Sequence, residues 1–234
     1  MLILAIDTST RAGSVALLRD RKVLAEVSAR EETPYSTRLF RDLEVLQSRA
    51  PFRMDQIDVF AVAAGPGSFT GLRVGLTAVK GWAEIHRKPI AAISGLEAIA
   101  SQSSANSEFV SPFLDARRGY VFGSTYRRTR QDSNILQLVG EEAIFSIEEF
   151  LASVRENSGM SQPLLVSSTL EVMPVTLIDS MLPAARLEQV PEGLAPAIGL
   201  LAFDRADRGD LADPLTLDAN YIRRSDAEVA RTPA

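Results

Sequence analysis

The chain of 234 residues is 46% hydrophobic and 24% charged, with a formal net charge of −5. A chain of this length buries about 70% of its unfolded surface, so an ordered globular protein is expected. It has no cysteine and one histidine, which excludes disulfides, thiolate nucleophiles, Cys-ligated zinc and sites that need two imidazoles. No stretch approaches the roughly 18 apolar residues that cross a bilayer. We therefore expect a cytoplasmic protein without a membrane partner.

The charge is divided unevenly along the chain. Residues 1–106 hold 13 Lys and Arg against 11 Asp and Glu, whereas residues 107–234 hold 12 against 19. Affinity for nucleic acid comes largely from neutralising phosphates with Lys and Arg. The acidic total therefore argues against autonomous nucleic-acid binding, and any such contact is expected to use the first half.

The first half is predicted to combine a hairpin sheet with two strand and helix segments. Ser36 is expected to cap a helix over 37–49, with Leu39, Leu43 and Leu46 on one face. A buried strand over 57–64 leads through the turn 65–71 into a helix that ends near His86. The hairpin strands are predicted at residues 2–6, 14–18 and 22–29.

A polar segment at 101–108 predicts a boundary between two halves, 1–106 and 107–234. The second half repeats the opening order, since strand 110–114 runs into Asp115, a short turn and strand 120–126. We interpret this as a diverged internal duplication, although an accidental match of short strings is the alternative. Two such halves resemble the α/β actin-like ATPase (ASKHA) fold of sugar kinases and heat-shock ATPases.

Three further features are predicted in the second half. Ser146 and Glu149 form a capping box that opens a helix. A helix near 194–208, ended by Gly209, is expected to pack back on the first half. The tail after residue 224 is expected to fray.

The first candidate site is the turn formed by Asp7, Thr8, Ser9 and Thr10. A carboxylate followed by hydroxyls and backbone N–H groups can hold a metal-bound water and phosphate oxygens. The alternative is that these side chains only close the hairpin through local hydrogen bonds. The first reading favours a nucleotide site and the second a purely structural turn.

The second candidate is the string GPGSFTGLRVGLTAVKG at residues 65–81. Ser68 or Thr70 can cap the helix, whose N–H groups attract anions. The helix also carries small residues at spacings of four, three and three, which allow another helix to approach closely. Because glycine costs about 1 kcal/mol against alanine in a helix, that contact should compensate, either with a neighbour in the chain or with a partner. The small residues are Gly71, Gly75, Ala78 and Gly81.

The remaining polar groups have simpler interpretations. His86 is expected to cap or terminate its helix, where an imidazole interacts favourably with the helix dipole. The cluster Arg127, Arg128 and Arg130 is expected to decorate a hairpin tip. Arg223 and Arg224 follow a strand-like run and are candidates for a functional contact.

The strings LAIDTST, AAGPGSFTGLRVG, DARRGYVF and NYIRR resemble the TsaB family along the whole chain. The resemblance implies a non-catalytic subunit, a complex dimerization subunit paralogous to TsaD, that acts in tRNA threonylcarbamoyladenosine modification. It implies a heterodimer with TsaD, joined by the ATPase TsaE, with tRNA bound only through the complex and a homodimer in isolation as an option. It implies no tightly bound cofactor and leaves ATP or ADP at the subunit boundary as a candidate ligand.

Two departures from related sequences limit what the resemblance implies. Gly95 and Ile99 stand where TsaD has the two histidines of a metal site, and neither can bind metal. Tyr35-Ser36 stands where family members often carry His-Ser, so no role of that histidine applies here. An old glycoprotease label for the family finds no chemical support in this chain.

The resemblance places the partner interface on the two helices of the first half. The expected contact residues are Leu39, Leu43, Gly71, Leu72, Gly75, Leu76, Ala78 and Val79. A competing class is an autonomous small-molecule kinase with Asp7 or Asp115 as base. Against it stand the missing adenosine motif and a second half too short for most sugar kinases.

Overall fold

The structure is a computed structural model, and it describes residues 1–28, 33, 35–103, 107–129, 136–214 and 217. The strands are β1 (Leu2–Asp7), β2 (Ser14–Arg19), β3 (Lys22–Ser28), β4 (Val59–Gly65), β5 (Ile90–Ser94), β6 (Phe109–Arg117), β7 (Tyr120–Arg128), β8 (Leu136–Ser146), β9 (Leu164–Ser167) and β10 (Arg186–Gln189). The α-helices are α1 (Tyr35–Arg49), α2 (Phe69–His86), α3 (Gly95–Ser101), α4 (Ile147–Ser158), α5 (Val175–Met181) and α6 (Ala195–Arg208). Short 3-10 helices lie at Met54–Gln56 and Leu170–Val172.

The chain divides into two compact units, and the first of them is discontinuous. Unit 1 contains residues 1–95 and the described residues from 193 onward, whereas unit 2 contains residues 96–192. The division differs from the boundary expected between residues 106 and 107. The described residues from 193 onward group with unit 1 because α6 packs against β1, β2, β4 and β5. Among the described residues, no helix is long and apolar enough to cross a membrane.

The sheet of unit 1 has the order β3-β2-β1-β4-β5. Strand β1 pairs antiparallel with β2 and parallel with β4. All six β1 residues are buried, because the pleat sends alternate side chains to faces that are both covered. Leu4 and Ile6 belong to the cluster under α1 and α2, whereas Leu18 of β2 lies against Gly199 of α6. The sheet is therefore a central layer between helices.

Unit 2 repeats this topology with the sheet order β10-β9-β6-β7-β8. Strands β6, β7 and β8 form an antiparallel meander, and β9 and β10 follow in parallel after α4 and α5. Its core packs Phe113 and Val121 against Phe150 and Leu151 of α4. The predicted capping box is confirmed, since Ser146 accepts from Glu149 N and Glu149 accepts from Ser146 N. The shared topology supports the predicted duplication.

Candidate functional site

The turn after β1 is closed by its own carboxylate. One Asp7 oxygen accepts from Ser9 N at 2.8 Å and from Ser9 Oγ at 2.6 Å, and the other accepts from Thr10 Oγ1 at 3.2 Å. Thr10 Oγ1 in turn accepts from Gly13 N. These hydrogen bonds close the turn locally, which is the alternative to a phosphate site.

Burial further restricts the chemistry of this turn. Complete burial raises the pKa of the Asp7 carboxyl above 3.8, an effect opposed by the Ser9 and Thr10 hydrogen bonds and by the Arg38 charge. Asp7, Thr8 and Ser9 are buried, and Thr10 is half-buried. The structure thus brings the four candidate phosphate-site residues together, but it commits them to contacts within the chain. This arrangement gives no support to Asp7 as the base of a kinase.

The N-terminus of α2 packs against the same turn. Ser68 caps the helix by accepting from Gly71 N, as predicted, and its own N–H donates to Ser9 O at 2.8 Å. A Cβ on Gly67 would lie 2.6 Å from Ser9 O. The Gly67 φ of +159° is one that L side chains rarely adopt, so both the backbone conformation and the close approach favour glycine here. The helix N-terminus therefore faces the hairpin backbone.

Two glycines of the small-residue series also contact this hairpin. A Cβ on Gly71 would lie 2.0 Å from Thr8 O, and one on Gly75 would lie 2.4 Å from Thr8 Oγ1. Thr8 Oγ1 donates to Gly71 O at 2.7 Å. The close approach that these glycines permit is therefore made within the chain, and their assignment to a partner interface stays a prediction.

The predicted apolar anchors of the interface are core residues. Leu39, Leu43, Leu76 and Val79 belong to the hydrophobic cluster between the helices and the sheet, and Leu72 is also buried. The same periodicity that suggested a contact face is satisfied by packing on the sheet. These five residues do not form an exposed contact surface in this structure; of the expected contact residues only half-buried Ala78 lies towards the surface.

The outer face of the helices carries a different set of apolar residues, which the sequence analysis missed. Phe40 is 62% exposed and Ile85 is 75% exposed. The Phe40 ring meets the half-buried Trp82 ring edge-on at 6.4 Å between centroids. Along α2 the series at positions 74, 78, 81 and 85 has spacings of four, three and four, so it follows one face. We call this set the apolar strip: Phe40, Val74, Ala78, Gly81, Trp82 and Ile85.

A signal for the apolar strip was present in the sequence. Phe40 follows Leu39 directly, and Ile85 lies outside the series Leu72, Leu76, Val79 that faces the sheet. A large apolar residue out of phase with the buried series of a helix indicates a second apolar face. Gly81 adds to this face because a Cβ there would meet nothing within 4 Å.

The N-terminus of α1 is held against the hairpin by buried polar side chains. Tyr35 Oη donates to Ala12 O at 3.1 Å, and Arg38 Nη2 donates to the same oxygen at 2.8 Å. A Cβ on Gly13 would overlap Tyr35 Oη at 1.4 Å. Burial raises the pKa of the Tyr35 phenol. Since α1 begins at Tyr35, Ser36 lies inside the helix, and the predicted Ser36 cap was wrong.

The remaining candidates lie apart from the hairpin. Gly95 and Ile99 are buried at α3. His86 is the last residue of α2, as predicted. Arg127 pairs with Glu108 at 2.8 Å, and Arg128 donates to Ser103. The positions of Arg130, Arg223, Arg224 and the tail lie outside the described residues. Within the described ranges, no three His, Cys, Asp or Glu side chains form a group that could hold a metal ion.

Comparisons with known proteins agree with this architecture. A family model described as TsaD, tRNA N6-adenosine threonylcarbamoyltransferase, matches residues 23–163. The chain is 29% identical to tRNA threonylcarbamoyladenosine biosynthesis protein TsaB of Bacillus subtilis (strain 168), over 97% of this chain and 96% of that protein.

Two solved structures show the fold. YeaZ from Pseudomonas aeruginosa superposes with a TM-score of 0.76 and 26% identity, covering 94% of this chain and 99% of that one. The ROK hexokinase from Thermus thermophilus has a TM-score of 0.53 at 9% identity, covering 89% and 100%. The duplicated topology is that of the actin-like ATPase fold. The chain belongs to the family that the TsaD model describes, and within it to the TsaB proteins.

Proposed function

We propose that this chain is a non-catalytic subunit in tRNA threonylcarbamoyladenosine biosynthesis, and that it binds a TsaD subunit through the apolar strip. The complex would transfer threonylcarbamoyl from an adenylate to the exocyclic amine of the adenosine beside the tRNA anticodon. TsaE would join this pair, and tRNA would bind only through the complex. The observation that carries the proposal is the apolar strip on two adjoining helices, in which Phe40 and Ile85 are exposed and Val74, Ala78 and Trp82 are half-buried.

The apolar strip has the composition of a protein interface. Its aromatic pair, Phe40 and Trp82, is of the kind that dominates binding energy in such surfaces. Ala78 and Gly81 are small enough for a partner helix to approach closely. Polar side chains flank the apolar residues, as a rim does around an interface core: Arg41, Glu44, Arg73, Thr77 and Glu84.

Two features of the chain support a non-catalytic role. Gly95 and Ile99 carry no imidazole where TsaD has histidines, and the Asp7 carboxyl is enclosed by its own turn. A nucleotide, ATP or ADP, would then bind at the boundary with TsaD and not within this hairpin. In isolation, the same apolar strip would bring two copies of this chain together.

The test is the affinity for TsaD of the same source, measured by calorimetry. Burying an aliphatic side chain contributes about 1.5–3 kcal/mol, so Ile85→Ser should weaken binding about tenfold or more. Val175→Ser is the matched control, because Val175 is also exposed but lies on α5 of unit 2. Equal affinities of the wild type, Ile85→Ser and Phe40→Ala would rule out the apolar strip as the interface.

A further inference from the structure

Arg38 is a buried cation at the junction of α1 and the hairpin turn. Its side chain is 1% exposed. Nη2 donates to Ala12 O and to Tyr35 Oη, and the guanidinium carbon lies 4.0 Å from the centre of the Tyr35 ring. One nitrogen thus joins the backbone of the turn to the first residue of α1. The contact spans 26 positions of sequence.

The rest of the guanidinium is poorly satisfied. Nε lies 3.4 Å from an Asp42 oxygen but is not aligned for a hydrogen bond. Nη1, also buried, has no hydrogen-bond partner among the described residues. A buried charge with unmet donors bears a desolvation penalty that its contacts repay incompletely. Stability is therefore a weak reason for an arginine at this position.

The partners of Arg38 each keep another contact without it. Ala12 O still accepts from Tyr35 Oη at 3.1 Å. The Asp42 carboxylate remains 3.5 Å from Arg41 Nη2. Replacement of Arg38 by a methionine of similar length therefore leaves neither acceptor unpaired, and the fold should tolerate it.

The geometry of the apolar strip depends on where α1 lies. Phe40 is two residues beyond Arg38, and its ring rests edge-on against Trp82 of α2. A rotation or shift of α1 would separate these rings, because α1 is the element that carries Phe40. A planar guanidinium is suited to holding α1 in one position, because its N–H donors have a fixed relative geometry.

We infer that Arg38 is a positioning residue, which fixes α1 on the hairpin turn so that Phe40 and Trp82 present one surface to the partner. The inference rests on the proposed function, because it takes the apolar strip as the partner surface. It assigns Arg38 to binding competence and not to the stability of the fold.

The test uses the full chain and three measurements on each variant. Trp82 is the only tryptophan of the sequence, so its emission reports the Phe40 contact. Arg38→Met should change the emission maximum and weaken TsaD binding about tenfold, with a melting temperature close to that of the wild type. Arg38→Lys keeps the charge but loses the fork, and it should show the same two changes. Arg53→Met is the control, because Arg53 is exposed and pairs with Asp55.

The outcomes separate this inference from the proposed function. If both Arg38 variants bind TsaD as the wild type does and their Trp82 emission is unchanged, Arg38 has no positioning role, whatever their melting temperatures are. If Ile85→Ser and Phe40→Ala also bind normally, the apolar strip itself is not the interface. Weakened binding in Ile85→Ser alone would keep the proposed function and reject the role of Arg38.

Discussion

Thr8 and Gly71 are in such close contact that no side chain fits between them. Thr8 Oγ1 donates to Gly71 O at 2.7 Å, and a Cβ on Gly71 would lie 2.0 Å from Thr8 O. Gly71→Ala should therefore lower the free energy of unfolding by about 1–3 kcal/mol, as overpacking does. Urea unfolding measures this change directly.

Gly81 provides the matched control for Gly71, since it lies in the same helix with open space around its Cα. Alanine is favoured over glycine in a helix by about 1 kcal/mol, so Gly81→Ala should raise the free energy of unfolding. Gly75→Leu should lower it, because the Gly75 Cα faces Thr8. A Gly71→Ala protein as stable as the wild type would show that the hairpin and α2 are not packed in this way.

Asp7 should make the protein less stable as the pH rises. Burial raises its pKa above 3.8, so the folded state holds this proton at a pH where the unfolded state has lost it. The Asp7 contribution to the free energy of unfolding thus declines from about pH 4 upward, by about 1.4 kcal/mol per unit of raised pKa. Unfolding of wild type and Asp7→Asn across this range isolates the contribution.

Asp55 gives a control of opposite sign for the pH experiment. Its hydrogen bond with Arg53 lowers its pKa, so its stabilising effect is present above pH 4 and is lost on acidification. Relative to the wild type, Asp55→Asn should therefore lose stability as the pH rises, whereas Asp7→Asn should gain it. Parallel curves for the two variants would contradict a buried, pKa-raised Asp7.

Gly13 should be required for the placement of Tyr35. Its φ is +37°, and a Cβ there would overlap the Tyr35 hydroxyl. Gly13→Ala should destabilise the fold by about 1–3 kcal/mol through strain and displacement, and it should cost less in a Tyr35→Ala background, where the ring that the Cβ would overlap is gone. An equal cost in both backgrounds would mean that backbone strain alone is responsible.

Ser146 should stabilise α4 through its cap. Loss of an N-cap hydroxyl costs about 1 kcal/mol, so Ser146→Ala should lower the free energy of unfolding by that amount. Ser180→Ala is a suitable comparison, because that hydroxyl is exposed and bonds only Leu177 O within α5 among the described contacts. Equal losses of unfolding free energy in both variants would show that the capping box does not stabilise α4.

The sequence predicted those features that depend on local chemistry. Ser68 and Ser146 are predicted as caps because each hydroxyl accepts from the amide three residues later, so the contact depends only on neighbouring sequence. The helix end at Gly209 follows from its left-handed φ of +71°. The periodicity of Leu39, Leu43 and Leu46 correctly marked one apolar helix face.

Local patterns do not determine what each helix face meets. Gly71 and Gly75 indicated a close approach, but only the fold shows that Thr8 is the neighbour. The leucines of α1 and α2 could equally have faced a partner or the sheet. Arg38 was not singled out, since a lone arginine on a helix is usually solvated. Its burial depends on the fold of the hairpin turn around it.

The order of elements along the chain has a consequence for synthesis on the ribosome. One face of the unit 1 sheet is covered by α6, whose residues emerge after the whole of unit 2. Until then Leu18, which packs against Gly199, belongs to an apolar sheet face without its helix. Exposed apolar surface in a growing chain favours aggregation. Nascent chains stalled before residue 195 should therefore depend on chaperones far more than completed ones.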